Sequence, residues 1–199
     1  MNTLLIATAN SHKLDEFKKI LPKDINILSL KDFPEISDIA ETGESFSENA
    51  WIKASTLFNH TGIITIADDS GLVTSALDGA PGIYSARYAG EPSNDAANRK
   101  KLLNEMANKS DRNASFVCAI ALVGREINSV FEGQLKGEIV QHERGHNGFG
   151  YDSIFVPIGY TVTLAEMEAH QKNKISHRYL AIQKLFSFLS QNFTKQKNL

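Results

Sequence analysis

The 199-residue chain lacks the features that mark disulfide-rich, membrane-spanning and nucleic-acid-binding proteins. Its one cysteine, Cys118, can form neither an internal disulfide nor a cysteine-based zinc site. The formal net charge of -2 creates no overall basic field that would attract nucleic acid or an anionic membrane. No apolar run has the length of a membrane span, and no basic segment precedes the apolar start, which argues against a signal peptide. We therefore expect a cytoplasmic protein with no nucleic-acid or membrane partner.

Three common motifs of nucleotide-binding and hydrolytic enzymes are also absent. The chain has no G-x-x-x-x-G-K-[ST] loop, no G-x-G-x-x-G and no G-x-S-x-G nucleophile elbow. Cys118 lies in the apolar run SFVCAIALV, where we interpret it as a core residue, and no serine has a recognisable triad context. A covalent nucleophile is therefore not indicated.

Apolar runs alternate with helical patterns along the whole chain. The predicted strands are 3–7, 26–30, 63–67, 115–123, 127–132 and 135–141. The predicted helices are one capped by Asn10 or Ser11 and stopped by Pro22, then 45–62, 96–106 and 176–192, with a short helical turn at 165–169. A turn near Gly124 suggests a hairpin. This mixed order predicts an α/β or α+β fold around a mixed sheet. The length predicts one domain, or two tightly joined lobes, over 1–199 with a polar tail from about residue 194.

An acidic pair, Asp68 and Asp69, directly follows a predicted strand and opens the turn-rich stretch 67–90. Carboxylates in such a place are costly unless they are paired, hydrated or bound to metal. Successive side chains of a strand point to opposite faces, so we expect only one of the pair to face a site. Mg²⁺ prefers one or two carboxylates with water and phosphate, and Glu41 with Asp69 would suffice. Capping and hydration near turns is the alternative interpretation.

Several cations have unusual positions. Lys13, His177 and Arg178 fall in predicted first helical turns, where the helix dipole disfavours positive charge. At Lys13, a phosphate bound at the helix N-terminus would resolve that conflict. Three more cations join this pool: Lys53, Arg87 and Lys172. Each is alternatively a solvated surface charge.

The segment FGYD at 149–152 is a third candidate binding feature, after the acidic pair and the cations. Glycines 148 and 150 would let the backbone approach a ligand closely, and Phe149 could stack on a base. The alternative is a core aromatic in a turn.

Five segments, in this order, resemble the inosine triphosphate pyrophosphatase family, also described as HAM1-like or dITP/XTP pyrophosphatases. They are TANSHK (8–13), ETGESFSENAWIKA (41–54), ADDSGLVTSALDGAPGIYSARYAG (67–90), GFGYD (148–152) and KISHR (174–178). The resemblance implies an α/β fold in which a long mixed sheet and flanking helices form two lobes around a central nucleotide-binding cleft. It also implies a homodimer. The implied activity is Mg²⁺-dependent hydrolysis of ITP, dITP and XTP to the monophosphate and pyrophosphate.

The resemblance also implies residue roles. Glu41 and Asp69 resemble the family's Mg²⁺ ligands, and Asp69 is also similar to its proton acceptor. The residues that resemble its triphosphate contacts are Thr8, Asn10, Lys13, Lys53 and Ser70. Those that resemble its base pocket are Phe149, Gly150, Tyr151, Asp152, Lys172, His177 and Arg178.

The chain departs from the family pattern at three positions. Ala9 and Asn147 stand where glycines are usual, and Ser153 replaces the usual proline. These changes affect loop rigidity rather than any charged site residue. Two other functions remain open: a related pyrophosphatase for dTTP or modified pyrimidines, and a nucleotide-binding module without catalysis. The acidic group and the mild net charge argue against the module.

Overall fold

The computed structural model describes residues 3–8, 14, 17, 18, 21, 25–36 and 39–193. Within these residues six strands form one mixed sheet in the order β2-β1-β3-β4-β5-β6. The strands are β1 (Thr3–Ile6), β2 (Asn26–Ser29), β3 (Thr65–Thr74), β4 (Asn113–Gly124), β5 (Ile127–Ile139) and β6 (Phe155–Pro157). Strand β1 pairs parallel with β2 and β3, whereas β5 pairs antiparallel with β6. The predicted α/β class with a mixed sheet is confirmed.

The α-helices with described bounds are α1 (Phe46–Thr61), α2 (Asp95–Glu105), α3 (Ala169–Ile175) and α4 (His177–Phe193). Short 3-10 segments lie at Leu30–Asp32, Ser75–Leu77, Gly82–Arg87, Asp152–Ile154 and Leu164–Glu166. In the described part of the chain, no helix is long and apolar enough to cross a membrane. Of the first predicted helix, Leu14, Phe17 and Lys18 are helical, while Asn10, Ser11 and Pro22 lie outside the described residues.

Helix α1 begins and ends where its sequence predicts. The Ser45 side chain accepts a hydrogen bond from Glu48 N at 3.1 Å, and Gly62 ends the helix with φ +69°. The capping box differs in its second half, because the Glu48 carboxylate accepts from Glu44 N, one residue before the cap. The helix buries Ala50, Ala54 and Leu57, as expected.

Two strand predictions were wrong in length. Strand β3 continues through the acidic pair to Thr74, and β5 runs unbroken across Gly133, where two strands were predicted. Turn-forming residues suggested ends at both places. Each strand, however, lies between two sheet neighbours, so pairing on both sides outweighs the local preference. The predicted β4–β5 hairpin is confirmed, since Arg125 and Glu126 form its two-residue turn.

The chain divides into two compact units. The first comprises residues 1–69, 118–133 and 178–199, and the second comprises 70–117 and 134–177. The core of the first unit includes Leu4, Ile66 and Leu185, and it also contains Cys118, as predicted. The core of the second unit includes Leu102, Met106 and Phe155.

Candidate functional site

A lysine bridges two carboxylates in the first unit. Lys53 Nζ lies 2.6 Å from Glu41 Oε1 and 3.5 Å from Asp69 Oδ1. Lys53 projects from α1, Asp69 from β3 and Glu41 from the loop before α1. Because all three side chains are mostly buried, water screens these charges less than it would on the surface. The structure thus brings together three predicted site residues that are separated in sequence.

Asn49 fixes the loop that carries Glu41. This buried side chain accepts a hydrogen bond from Gly43 N through Oδ1 at 2.8 Å. The fit is close, since a Cβ added at Gly43 would lie 2.7 Å from Glu48 Cβ and 2.9 Å from Asn49 Oδ1. Sequence reasoning missed Asn49. The available signal was its place beside the buried alanines of α1, one turn before Lys53.

Asp69 keeps one oxygen available for a ligand. Among the described residues, buried Asp69 Oδ2 has no hydrogen-bond partner of ordinary geometry, and neither has buried Asn49 Nδ2. The Asn49 amide is nonetheless near enough to lower the pKa of Asp69. A buried oxygen without a partner costs free energy that a bound cation or donor would offset.

Burial and the neighbouring charges shift the pKa values of Asp69 and Lys53. Burial raises the pKa of Asp69, and the negative charge of Glu41 raises it further, while Lys53 partly opposes both effects. Burial lowers the pKa of Lys53, but the charges of Asp69 and Glu41 outweigh it and leave that pKa above its ordinary value. Asp69 is therefore a stronger base than an ordinary aspartate, and Lys53 remains a cation.

Asp68 has a different partner from its neighbour. Its Oδ2 lies 3.3 Å from Arg178 Nε, and both side chains are almost fully buried. The divergence of Asp68 and Asp69 follows from the alternation of side chains along β3. Arg178 lies in the first turn of α4, as predicted, and Asp68 supplies a counter-charge for it there.

The 148–152 loop of the second unit presents an exposed aromatic ring. Asp152 Oδ2 accepts hydrogen bonds from Phe149 N at 2.8 Å and from Lys172 Nζ at 2.5 Å. Lys172 Nζ also lies 4.8 Å from the centroid of the Phe149 ring, which is a cation–π contact. Phe149 itself is 68% exposed, so it is not the core aromatic of the alternative interpretation. The loop therefore offers a stacking surface beside a cation.

Tyr151 is the aromatic of this loop that lies in the core. Its hydroxyl donates to Ser85 O at 2.8 Å, and burial raises its pKa. Of the other predicted residues, His177 stacks on Phe116 with ring centroids 5.0 Å apart, and Thr8 is buried. Asn10 and Lys13, together with Ala9, lie outside the described residues.

A cavity of about 270 Å³ opens beside the loop. Phe149 and Asp152 line it, as do Arg99 and Glu143, which the sequence motifs do not include. Two departures from the family pattern make hydrogen bonds near it: Asn147 Nδ2 donates to Met167 O, and Ser153 Oγ donates to Glu143 Oε2. Each replacement therefore contributes a contact of its own.

The model of the Ham1 family matches residues 4–188. The chain belongs to the Ham1 family. It is 47% identical over 187 residues to a dITP/XTP pyrophosphatase of Christiangramia forsetii, covering 94% of this chain and 98% of that relative. It is 49% identical over 196 residues to the dITP/XTP pyrophosphatase of Bacillus licheniformis, covering 96% and 100%. The predicted family is thereby confirmed.

Solved structures of Ham1 proteins agree with the fold. The Staphylococcus aureus Ham1 protein matches with a TM-score of 0.92 at 43% identity, covering 96% of this chain and 99% of that one. A HAM1 protein from Coxiella burnetii matches with a TM-score of 0.91 at 41% identity, covering 96% and 100%. These matches place the chain among Ham1 folds over nearly its full length.

Membership of a pyrophosphatase family implies a divalent metal, and the two carboxylates beside Lys53, Glu41 and Asp69, fit one. Among the described residues, no three His, Cys, Asp or Glu side chains converge as a metal cluster. A Ham1 chain would therefore hold the ion with few protein ligands and leave positions for water and phosphate, as hard divalent cations such as Mg²⁺ allow. Glu41 and Asp69, with its available Oδ2, suit that arrangement.

Proposed function

We propose that the chain is a nucleoside triphosphate pyrophosphohydrolase that converts dITP, ITP and XTP to the monophosphate and pyrophosphate. The observation that carries this proposal is the mostly buried Glu41–Lys53–Asp69 group, in which two carboxylates and a lysine that stays protonated lie together. The similarity to dITP/XTP pyrophosphatases over nearly the whole chain supports the substrate class.

We further propose that Mg²⁺ is the metal and that Glu41 and Asp69 hold it. When bound, it would neutralise charge on the phosphate oxygens. Asp69 orients the attacking water and accepts its proton. Lys53 stabilises the negative charge of the departing pyrophosphate, since its neighbours keep it protonated. Further triphosphate contacts are assigned to Thr8, Asn10, Lys13 and Ser70.

The residues of the 148–152 loop are proposed to read the base, together with Lys172, His177 and Arg178. Phe149 offers the exposed ring on which a purine stacks, with Lys172 beside it. Hypoxanthine and xanthine carry an acceptor oxygen at C6, which the donors Lys172, His177 or Arg178 would satisfy. Adenine carries an amino group there and would leave such donors unpaired, a mismatch that can reject an analogue by about 10⁴-fold.

The whole chain is proposed to act as one domain, in a homodimer, in the cytoplasm. The support for these three statements is the resemblance to the family and the composition. No nucleic acid or membrane takes part in the proposed reaction.

A panel of nucleoside triphosphates with Mg²⁺ tests the proposal. Pyrophosphate and phosphate are measured separately from dITP, XTP, dATP, dGTP and dTTP. We expect pyrophosphate from dITP and XTP and little from dATP, which lacks the C6 acceptor, or from dTTP. Guanine shares the C6 oxygen, so the rate with dGTP shows how the site treats the 2-amino group. A preference for dTTP would instead support a pyrimidine enzyme, and binding without turnover would support a binding module. Asp69→Asn should abolish release, whereas Asp78→Asn should not, because Asp78 is exposed and asparagine tolerates its φ of +50°.

A further inference from the structure

Helix α2 holds both backbone polar groups of Gly150. Gly150 N donates to Asp95 Oδ2 at 2.7 Å, and Arg99 Nη1 donates to Gly150 O at 2.8 Å. Asp95 and Arg99 are four residues apart, so they lie on the same side of the helix. Two side chains of one helix thus grip one residue of the loop that carries Phe149.

Arg99 also links Gly150 to Glu143 and, through Glu143, to Ser153 at the end of the loop. Its Nε donates to Glu143 Oε2 at 2.8 Å, and the same oxygen accepts from Ser153 Oγ at 2.9 Å. The planar guanidinium can bond Gly150 O and Glu143 at once because its donors point along two edges. A lysine at this position has no second edge with which to span both acceptors.

These contacts matter because Gly150 has no side chain of its own to fix its position. Its φ of +58° lies in the left-handed region, which glycine adopts with little cost but does not enforce. Phe149, the preceding residue, is exposed and is held at its backbone by Asp152. The direction of the Phe149 ring therefore depends on how well the backbone on both sides of it is anchored.

We propose that Asp95 and Arg99 are positioning residues that act through Gly150 to fix the Phe149 loop for base recognition. This inference rests on the proposed function. It adds α2, a helix outside all five segments of family resemblance, to the residues that set the affinity for the base. Neither side chain is assigned contact with the substrate or the reacting phosphate.

Two readouts separate positioning from a merely structural role. The first is amide exchange of Gly150, followed by ¹⁵N NMR, which should rise about tenfold in Asp95→Ala because the acceptor of that N–H is lost. The second is how the effect on dITP hydrolysis divides between KM and kcat. Asp95→Ala and Arg99→Met should each raise KM about tenfold, the effect of losing one hydrogen bond of ordinary strength, and leave kcat within about twofold.

Conservative variants and a neighbour provide the controls. Asp95→Asn keeps an oxygen acceptor and should restore most of the affinity, whereas Arg99→Lys should restore only part of it. Lys100→Met changes an exposed charge on the same helix and should alter neither readout.

An unchanged KM in Asp95→Ala and Arg99→Met would overturn the proposal, and so would unchanged exchange at Gly150. Equal losses of kcat and kcat/KM would also overturn it, because they would indicate damage to the reacting groups. Failure of the proposed function looks different: the wild-type chain itself would release no pyrophosphate from dITP. Exchange at Gly150 in Asp95→Ala would then still decide whether Asp95 holds the loop.

Discussion

Two glycines of the Phe149 loop provide a matched test of how the Asp152–Lys172 pair is packed. Both have left-handed backbone, with φ +81° at Gly148 and +58° at Gly150. A Cβ added at Gly148 would lie 2.1 Å from Asp152 Oδ2 and 3.1 Å from Lys172 Nζ. One added at Gly150 would meet no heavy atom of the described residues within 4 Å. Replacing each glycine with alanine therefore produces similar backbone strain, but only Gly148→Ala also produces a collision.

The collision sets the size of the expected difference. Left-handed strain should lower the free energy of unfolding by about 1–2 kcal/mol in either variant. In Gly148→Ala the Asp152 carboxylate must also move away from Phe149 N and Lys172 Nζ. Hydrogen bonds to charged groups contribute about 1.5–3 kcal/mol each, so losing both adds about 3 kcal/mol or more. Gly148→Ala should therefore be less stable than Gly150→Ala by about 3 kcal/mol.

Urea unfolding followed by circular dichroism measures the free energy of unfolding of both variants and of the wild type. Gly148→Ala should also raise KM for dITP more than Gly150→Ala does, because the support of Phe149 is displaced. Equal losses of stability in the two variants would mean that Asp152 relaxes without cost and that its two contacts do not hold the loop.

The remaining predictions concern the Glu41–Lys53–Asp69 group and Arg112. In metal-free protein, ¹³C NMR titration should show the pKa of Asp69 falling in Glu41→Gln, which removes a negative charge, and rising in Lys53→Met, which removes a positive one. The raised pKa gives Asp69 a stabilising contribution that is fully present below its unfolded-state pKa and lost as pH rises through its folded pKa. The stability of wild type relative to Asp69→Asn should therefore fall over that range in urea unfolding. Arg112→Met should lower the free energy of unfolding by about 3 kcal/mol, since its guanidinium donates to three backbone carbonyl groups.

Controls distinguish these effects from general damage. Arg144→Met removes a more exposed guanidinium and should reduce stability much less than Arg112→Met, in the same urea experiment. The pKa of Asp69 must shift in opposite directions in Glu41→Gln and Lys53→Met if the two neighbouring charges act on it as described. Shifts in the same direction would contradict the electrostatic account of the group.

The sequence predicted those elements whose signals are local. Ser45 and Gly62 define α1 through capping and a left-handed end, and both act within one turn of the chain. The extents of β3 and β5 were wrong because they depend on pairing with neighbouring strands, which turn preferences at Asp69 and Gly133 do not reveal. Local chemistry therefore predicted where elements begin better than where long central strands end.

The same division applies to the site. Alternation along β3 predicted that Asp68 and Asp69 would face different ways, and they do. The partner of Asp68 could not be read from the pattern, because Arg178 is 110 residues further along the chain. The hydrogen bond from Arg99 to Gly150 joins residues 51 apart in the sequence, and no sequence motif predicts it. Charged residues in unusual positions indicated a site, but only the fold identifies which charges neutralise one another.

Product analysis of dITP hydrolysis in the presence of Mg²⁺ shows which bond of the triphosphate the chain breaks. The wild-type chain should release equal amounts of pyrophosphate and dIMP and no free phosphate, and Asp69→Asn should release no product. Release of phosphate, or turnover by Asp69→Asn at the wild-type rate, would contradict the proposed reaction.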